Sequence, residues 1–400
     1  MTDAKQLFTT LFGTQPTTIA RAPGRAEILG CHTDYNSGYA LAAGISESTF
    51  AYCSKKDESS ITVASTAYPN EVITFSLNDI AGVETNKWTN YIRAVAKELV
   101  TAGHTIGGAN ILIDSTVPKS GGVSSSAALE LAVAYGLLQL YKYPIDAMKI
   151  ALLCKQAENS PIVKSPCGFL DQGSSAFAKK DALVLMDFLP KGNDPVSSVT
   201  VIPAEFPIPA TFIIPVDPTL ERQLGETGYV ARRKMCEDSL PFWSTKLGRP
   251  VTSLRQVSVV EFEMFRKDLD LLNPVMRKRC EHIVYENARV LAAVVALKNK
   301  KIDVFGNLLT EGGKSSLELY GLDENTPQLT FLVEKGRVLP GVLGMRNMGG
   351  GFSAIALALV KNESLDTFKQ TLSAMYAKQF DRTLDYIAFT PGNGAEIVYG

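Results

Sequence analysis

Along this 400-residue chain, short apolar runs rich in β-branched residues alternate with longer runs rich in Ala and Leu. The stretches at 61–67, 71–77 and 109–114 have the character of strands, while 88–101, 127–143 and 145–157 have the length and composition of helices. The run at 127–143 has no Pro and, apart from Gly136, no Gly. A new set of elements begins after 189–195 (LPKGNDP), whose two prolines and one glycine mark an approximate domain boundary. Beyond it, the pattern predicts a strand at 212–216, helices at 229–240 and 274–298, and a Gly-rich turn entering a strand within 344–360. Helices interleaved with strands predict an α/β or α+β architecture, with domains at 1–190 and 191–400.

The segment between the run at 109–114 and the helix-like run at 127–143 reads VPKSGGVSSSAA from Val117 to Ala128. A loop that opens a helix presents unpaired N–H groups and the positive end of the helix dipole, which favour an anion, and Gly121 and Gly122 let the backbone approach it closely. The hydroxyls of Ser124, Ser125 and Ser126 come next in the chain, and one of them could bind a metal ion carried by phosphates. The plainer alternative is a Ser-rich helix cap, since Ser is a preferred N-cap residue. A Walker loop is excluded, because Leu308 stands where the first glycine should precede Gly313-Lys314-Ser315. The glycines at 349–351 imitate a dinucleotide fingerprint, but the run after them, 354–360, is strand-like rather than a long helix.

The bulk properties narrow the field. With 46% hydrophobic and 20% charged residues, the chain is ordinary globular material, and a net charge of −1 offers no basic face for nucleic acid. The first residues lack the apolar core of a signal peptide, and no apolar run nears the roughly 18 residues of a membrane span. Six scattered cysteines without a C-x-x-C pair, and only three histidines, suit reduced thiols in a cytoplasmic enzyme rather than a zinc site. The basic run Arg277-Lys278-Arg279 reads as a solvated surface.

Two further segments carry chemistry. The stretch from Ala22 to Asn36 packs Arg, His, Asp and Asn between glycines, a poor recipe for a core and a good one for recognising hydroxyls. Cys167-Gly168-Phe169-Leu170-Asp171-Gln172 places an acid in a turn-like setting, where a surface turn acid is the bland reading of Asp171.

In sequence order, GRAEILGCHTDYNSGYAL at 24–41, PKSGGVSSSAALE at 118–130 and MGGGF at 348–352 resemble the three motifs of the galactokinases, members of the GHMP small-molecule kinase superfamily. KWTNYI at 87–92, KQAENS at 155–160, CGFLDQ at 167–172 and GYVARRKMCED at 228–238 extend the resemblance over nearly the whole chain. The resemblance implies an α+β, two-domain fold of mixed sheets and helices, with the active site in the cleft between the domains. It implies a monomeric sugar 1-kinase whose partners are a small sugar and ATP, with Mg2+ as cofactor and no nucleic acid or membrane partner. Pro118, Gly121, Gly122, Val123, Ser124, Ser125 and Ser126 would hold the nucleotide phosphates, and Trp88 and Tyr91 would flank adenine. Ser125 and Glu158 would be the magnesium ligands. Asp171 would be the catalytic carboxylate with Arg25 as its partner, and His32, Asp34, Gly168 and Tyr229 would meet the sugar.

The chain departs from the family pattern G-R-x-N-[LF]-I-G-E-H-x-D-Y at two points, with Glu27 in place of Asn and Cys31 in place of Glu. By the resemblance, that missing Glu clamps the 6-hydroxyl of galactose, and a thiol is a weak donor and weak acceptor. Galactose is therefore the first substrate expected, and galacturonate or another 6-modified galactose the alternative. A non-catalytic sugar sensor is a further alternative, opposed by the intact serine loop, Glu158 and Asp171. Met348 and Ser353-Ala354 also depart from the glycine motif and would tune the phosphate loop.

Overall fold

In the computed structural model, residues 2–80, 82, 88–118, 121–165, 167–192, 196–220, 226–324, 326–351 and 353–400 are described, with the side chains of Thr2, Glu226, Thr227 and Tyr229 excepted. After helix α1 (Thr2–Phe12), the chain builds a mixed sheet from β1 (Thr18–Leu29), β2 (Tyr39–Lys56), β3 (Ser60–Ser65) and β4 (Tyr68–Ser76). It continues through α2 (Thr89–Thr101), β5 (Gly108–Ser115), α3 (Ser125–Leu140), α4 (Ala147–Asn159), α5 (Leu170–Phe177), β6 (Ala182–Asp187) and β7 (Ser198–Pro203).

A second sheet comes next, made of β8 (Ala210–Val216), β9 (Val342–Asn347), β10 (Ala356–Lys361) and β11 (Asp385–Phe389). Between β8 and β9 run α6 (Glu226–Asp238), α7 (Leu240–Leu247), α8 (Val259–Leu272), α9 (Pro274–Lys298), α10 (Ile302–Glu318) and α11 (Pro327–Gly336). Helix α12 (Leu365–Phe380) joins β10 to β11, and the final strand, β12 (Glu396–Tyr399), returns to the first sheet beside β1.

The first sheet runs β12-β1-β2-β5-β3-β4, with β6 pairing β2 and β7 pairing β6; the second runs β11-β8-β10-β9. Only β3 and β5 pair in parallel among the described pairings. Sheets with helices laid against them make this the α+β architecture expected from the pattern. Of the stretch 189–195 expected to mark a domain boundary, residues 193–195 lie outside the described residues; β6 and β7, on either side of it, pair antiparallel in the first sheet, and β8 opens the second.

Helix α3 shows why this chain buries its first motif. Its Ala and Leu side chains are buried almost all round, packed between the first sheet and the neighbouring helices α2, α4 and α5. A second core joins the two sheets, with Ala26, Ile28 and Leu41 of β1 and β2 packing in one cluster with Phe212, Ile214 and Leu357 of β8 and β10. The segment 22–29, read as too polar for a core, is in fact a buried strand. Its two charged side chains survive burial because each has an opposite charge in contact, Arg25 with Asp171 and Glu27 with Arg346. Arg279 is likewise no surface residue: it is buried and donates to the Leu319 carbonyl at 2.7 Å and to Glu324 at 3.3 Å.

Candidate active site

Arg25 owes its position to an irregularity in β1. The register against β2 shifts between Pro23 and Arg25, and the backbone N–H of Arg25 leaves the sheet ladder to donate to the Val123 carbonyl at 2.9 Å. A Cβ on the intervening Gly24 would stand 2.7 Å from that carbonyl, so the close approach requires glycine. The guanidinium then forks. Nη1 donates to the Gly122 carbonyl at 2.6 Å, and Nε and Nη2 both reach Oδ1 of Asp171, at 3.0 and 2.9 Å.

Asp171 stands in the first turn of α5, not in a free turn, and keeps 28% of its side chain exposed while Arg25 keeps 8%. Its Oδ2 accepts from the Ser124 hydroxyl. Ser124 adopts a left-handed backbone with φ 56° and makes no side-chain cap to α3, so the serine beside the glycines does not serve as an ordinary helix cap. The loop thus meets the expected carboxylate, with Gly121 and Gly122 on one side of it and the α3 N-terminus on the other. Ser125 opens α3, and Val123, two residues earlier, is buried and fixes Arg25 through its carbonyl; Pro118 precedes residues 119–120, which lie outside the described residues.

A second carboxylate cluster lies across α5. The Ser126 hydroxyl, at the start of α3, lies near the carboxyl of Glu158 on α4 and favours its charged form. Oε2 of Glu158 accepts from Gln172 Nε2 at 2.7 Å, and the same nitrogen donates to Oε2 of Glu130 at 3.0 Å. Burial pushes the carboxyls of Glu158 and Glu130 up, with the neighbouring carboxylates adding to the shift, and Glu130 rises well above its ordinary range. Tyr91 stands beside this cluster, and burial with the nearby Glu158 pushes its phenol up to about 12. Trp88, one turn earlier, stacks on Tyr68 with ring centroids 5.7 Å apart and planes 13° from parallel.

Glu158 suits a hard divalent cation through its carboxylate, the neighbouring Ser126 hydroxyl and a like-charge strain with Asp171 that a cation would relieve, although the Cys167 thiol also lies against it. Ser125, the first residue of α3, precedes the Ser126 that lies beside Glu158. Among the described residues no group of three or more His, Cys, Asp or Glu side chains could hold a metal ion.

The expected sugar residues gather at the far end of β1. His32, with φ 61°, lies against the second sheet's glycine turn, its Nε2 3.3 Å from the Gly350 carbonyl. Nε2 must therefore carry the hydrogen, which leaves Nδ1 to accept from the Tyr35 hydroxyl at 2.8 Å. Burial, with His282 adding, pushes His32 down to about 3, so the imidazole is neutral. The Tyr35 hydroxyl in turn lies 2.7 Å from that of Tyr320. Asp34 lies against Gly168: a Cβ at position 168 would stand 2.5 Å from its Oδ2, so a larger residue there would displace the Asp34 carboxylate. Burial and the charge of Asp171 push the Asp34 carboxyl up. Tyr229 lies on α6, and its side chain falls outside the described residues.

Cys31 is fully buried, and its thiol is spent on the second domain's turn, donating to the Gly349 carbonyl at 3.4 Å and accepting from Asn347 Nδ2 at 3.6 Å. Burial, with the Glu27 charge adding, holds the thiol well above its ordinary range. Beneath it lies an ionic network that sequence reading missed. Buried Arg346 donates from Nη1 to Glu286 Oε1 at 3.0 Å and sets Nη2 3.5 Å from Glu27. Glu286 also accepts from the backbone N–H groups of Gly30 and Cys31, at 2.9 and 3.3 Å, and from Arg289 at 2.7 Å. Burial alone would raise its carboxyl, but Arg289 and Arg346 hold it well below the usual range. The charged residue at 27 was the only signal that could have led to Arg346. Gln172, Glu130 and Ser124 were in view inside the motifs, but nothing in their spacing said which carboxylate each would meet.

Comparisons with known proteins share this geography. Residues 6–55 match the galactokinase galactose-binding signature, and residues 90–179 match the GHMP kinases N terminal domain. The galactokinase of Lactococcus lactis, solved with galactose, is 26% identical over 99% of both chains with a TM-score of 0.86. Mevalonate kinase from Methanococcus jannaschii aligns over 94% of this chain and 99% of its own at 16% identity and a TM-score of 0.64. Phosphomevalonate kinase from Streptococcus pneumoniae aligns over 95% and 99% at 14% identity and a TM-score of 0.62, and both of these show a shared fold. With the galactose-binding signature on the β1–β2 region, the GHMP domain over the serine loop and Asp171, and a galactokinase-like fold throughout, the chain is a galactokinase-like member of the GHMP kinases, phosphotransferases that use ATP and a hydroxyl acceptor.

Proposed function

We propose that the protein transfers the γ-phosphoryl group of ATP to the anomeric hydroxyl of galactose. The observation that carries this reading is the placement of Asp171, with Oδ1 held by Arg25 and Oδ2 by Ser124 of the phosphate loop. A hydroxyl brought to that carboxylate lies beside the loop that would present a γ-phosphate. Asp171 orients the hydroxyl or takes its proton, and Arg25 offsets charge on the moving phosphoryl group. The loop N–H groups, with Gly121 and Gly122 allowing close approach, stabilise the phosphate oxygens, so most of the rate derives from positioning and electrostatics. Trp88 and Tyr91 border the adenine, and His32, Asp34, Gly168 and Tyr229 the sugar.

Glu158 and the hydroxyl of Ser126, with Ser125 next to it, would hold the magnesium ion. When bound, that ion neutralises charge on the β- and γ-phosphates. The protein is a cytoplasmic monomer in this reading; all six cysteines are free and five are buried, in keeping with a reducing compartment. No described helix is long and apolar enough to cross a membrane.

Galacturonate is the second reading, and Cys31 argues against it. Its thiol is buried against Gly349, and the nearest buried cation, Arg346, is committed to Glu286 and Glu27, so a 6-carboxylate would find no free counter-charge there. The deciding experiment is a panel of galactose, galacturonate, fucose, arabinose, glucose and N-acetylgalactosamine with ATP and magnesium, read by phosphorus NMR for the position of the product phosphate. Galactose 1-phosphate as the main product supports the reading. Preferred turnover of galacturonate, or phosphate at another carbon, overturns it, and turnover of no sugar would leave a sensor.

A further inference from the structure

We infer that Gln172, oriented by Glu130, is the positioning residue that fixes Glu158 for its cation and ties that site to Asp171. The inference rests on the proposed role of Glu158 as a metal ligand. Residues 171 and 172 are consecutive in the first turn of α5, so their side chains leave the helix about 100° apart. Asp171 turns to Arg25 and Ser124, whereas Gln172 turns into the seam between α3 and α4.

Within that seam the geometry is specific. Gln172 and Glu130 are fully buried, and Glu158 is 5% exposed. A primary amide offers two N–H donors, and here one goes to each carboxyl, at 2.7 Å for Glu158 and 3.0 Å for Glu130. Were the amide turned over, its carbonyl oxygen would face two carboxyl groups, so Glu130 dictates that the donor end meets Glu158. Ser126 and Glu130 lie four residues apart on one face of α3, which lets that helix give Glu158 a hydroxyl directly and an amide through Gln172.

Oε2 of Glu158 is held by Gln172, while Oε1 accepts a longer bond from Ser165 at 3.4 Å, and the side chains of Cys167 and Ser126 also lie against the carboxyl. Oε1, the less tightly held oxygen, is the one a cation would take. Gln172 Nε2 also lies 3.8 Å from the Cys167 sulfur, and the buried Oε1 atoms of Glu130 and Gln172 have no hydrogen-bond partner among the described residues, so the amide's donor end alone serves the carboxyls of this seam. Such outer-shell contacts typically govern metal affinity by about tenfold to a hundredfold.

The test measures Mn2+ binding by electron paramagnetic resonance in the presence of a non-hydrolysable ATP analogue, alongside the magnesium dependence of turnover. Gln172→Met keeps the side-chain length and removes the donors; Gln172→Asn keeps the amide but withdraws it from Glu158, and serves if the first variant does not fold. Both should weaken Mn2+ binding about tenfold to a hundredfold and raise the magnesium concentration for half-maximal rate, with the KM for sugar unchanged. Glu130→Leu should behave like them, and Glu130→Gln, which retains an acceptor for Gln172, should recover most of the lost affinity. Wild-type Mn2+ affinity in a folded Gln172 variant overturns the inference. Glu158→Ala separates the two levels: if it too binds Mn2+ normally, the ligand assignment has failed, and if only it weakens binding, the positioning role alone has failed.

Discussion

The hydroxyl of Ser124 donates to Oδ2 of Asp171, on the side of the carboxylate opposite Arg25. A serine that the sequence offers as a helix cap instead holds one oxygen of the proposed catalytic acid, with a left-handed φ of 56° and no cap to the helix. Ser124→Gly tests this without adding strain, because glycine adopts such a φ freely. Loss of a hydrogen bond to a charged group costs about 1.5–3 kcal/mol. Turnover should therefore fall on the order of tenfold to a hundredfold, with nucleotide affinity and thermal midpoint nearly unchanged. A variant with full kcat would show that Arg25 holds Asp171 unaided.

Asp171→Asn keeps the shape of the side chain and removes its charge and any role as a base. Sugar phosphorylation should drop by at least the roughly hundredfold typical of losing an acid–base group. Binding of an ATP analogue, measured by calorimetry, should persist because the loop does not depend on the carboxylate. A variant working near the wild-type rate would remove Asp171 from the chemistry.

Much of the fold could be read from the pattern. The helix predicted at 274–298 coincides with α9, and the Ala/Leu run after the serine loop becomes α3 at Ser125–Leu140. The strand β1 was misjudged because its charges were weighed as if exposed; each finds its partner only across the fold, Arg25 on Asp171 and Glu27 on Arg346, 146 and 319 residues away. The strand that follows 189–195, β7, pairs with β6 in the first sheet, and no local pattern reports to which sheet a strand returns. The site was legible as a set of motifs, while the pairing within it, such as Ser124 meeting Asp171 and Gln172 meeting Glu158, is set by the fold.

His282 supplies a prediction on pH. It is fully buried, its Nε2 donates to the Cys31 carbonyl at 3.1 Å and its Nδ1 accepts from Ser315 at 2.9 Å. Burial pushes it down to about 4, against the opposing pull of Glu286 and with Arg289 and Arg346 nearby. As pH falls below the ordinary histidine value of about 6.5, the unfolded chain takes up a proton that the folded chain refuses, so stability is lost from there down to the folded value. The raised carboxyls of Glu27, Asp34, Glu130 and Glu158 act in the opposite sense, gaining stability as pH falls through their folded values, so total stability is a poor readout. His282→Gln isolates the effect. The stability advantage of wild type over the variant, from urea unfolding, should shrink by about 1.4 kcal/mol per pH unit between pH 6.5 and 5; a constant gap would mean that His282 titrates normally.

The last prediction concerns the two departures from the family motif, which the structure joins. Cys31 and Glu27 both face Arg346, and Glu286 already occupies one side of that guanidinium. Cys31→Glu alone would add a third carboxylate to a fully buried site where Arg346 is already shared by Glu27 and Glu286 and Arg289 is paired with Glu286, and an uncompensated buried charge typically costs about 3–5 kcal/mol. The variant should be strongly destabilised, whatever it does for a sugar's 6-hydroxyl. Glu27→Asn removes the competing charge, so the double variant should regain part of that loss, with a coupling of about 0.5–3 kcal/mol in a double-mutant cycle of urea midpoints. If the carboxylate at 31 then turns toward the sugar, galactose turnover in the double variant should equal or exceed that of wild type while galacturonate turnover falls, because like charges in a desolvated pocket repel. Additive effects of the two substitutions would show that Glu27 and Cys31 are independent changes, and would leave the thiol as a packing residue of the Gly349 turn.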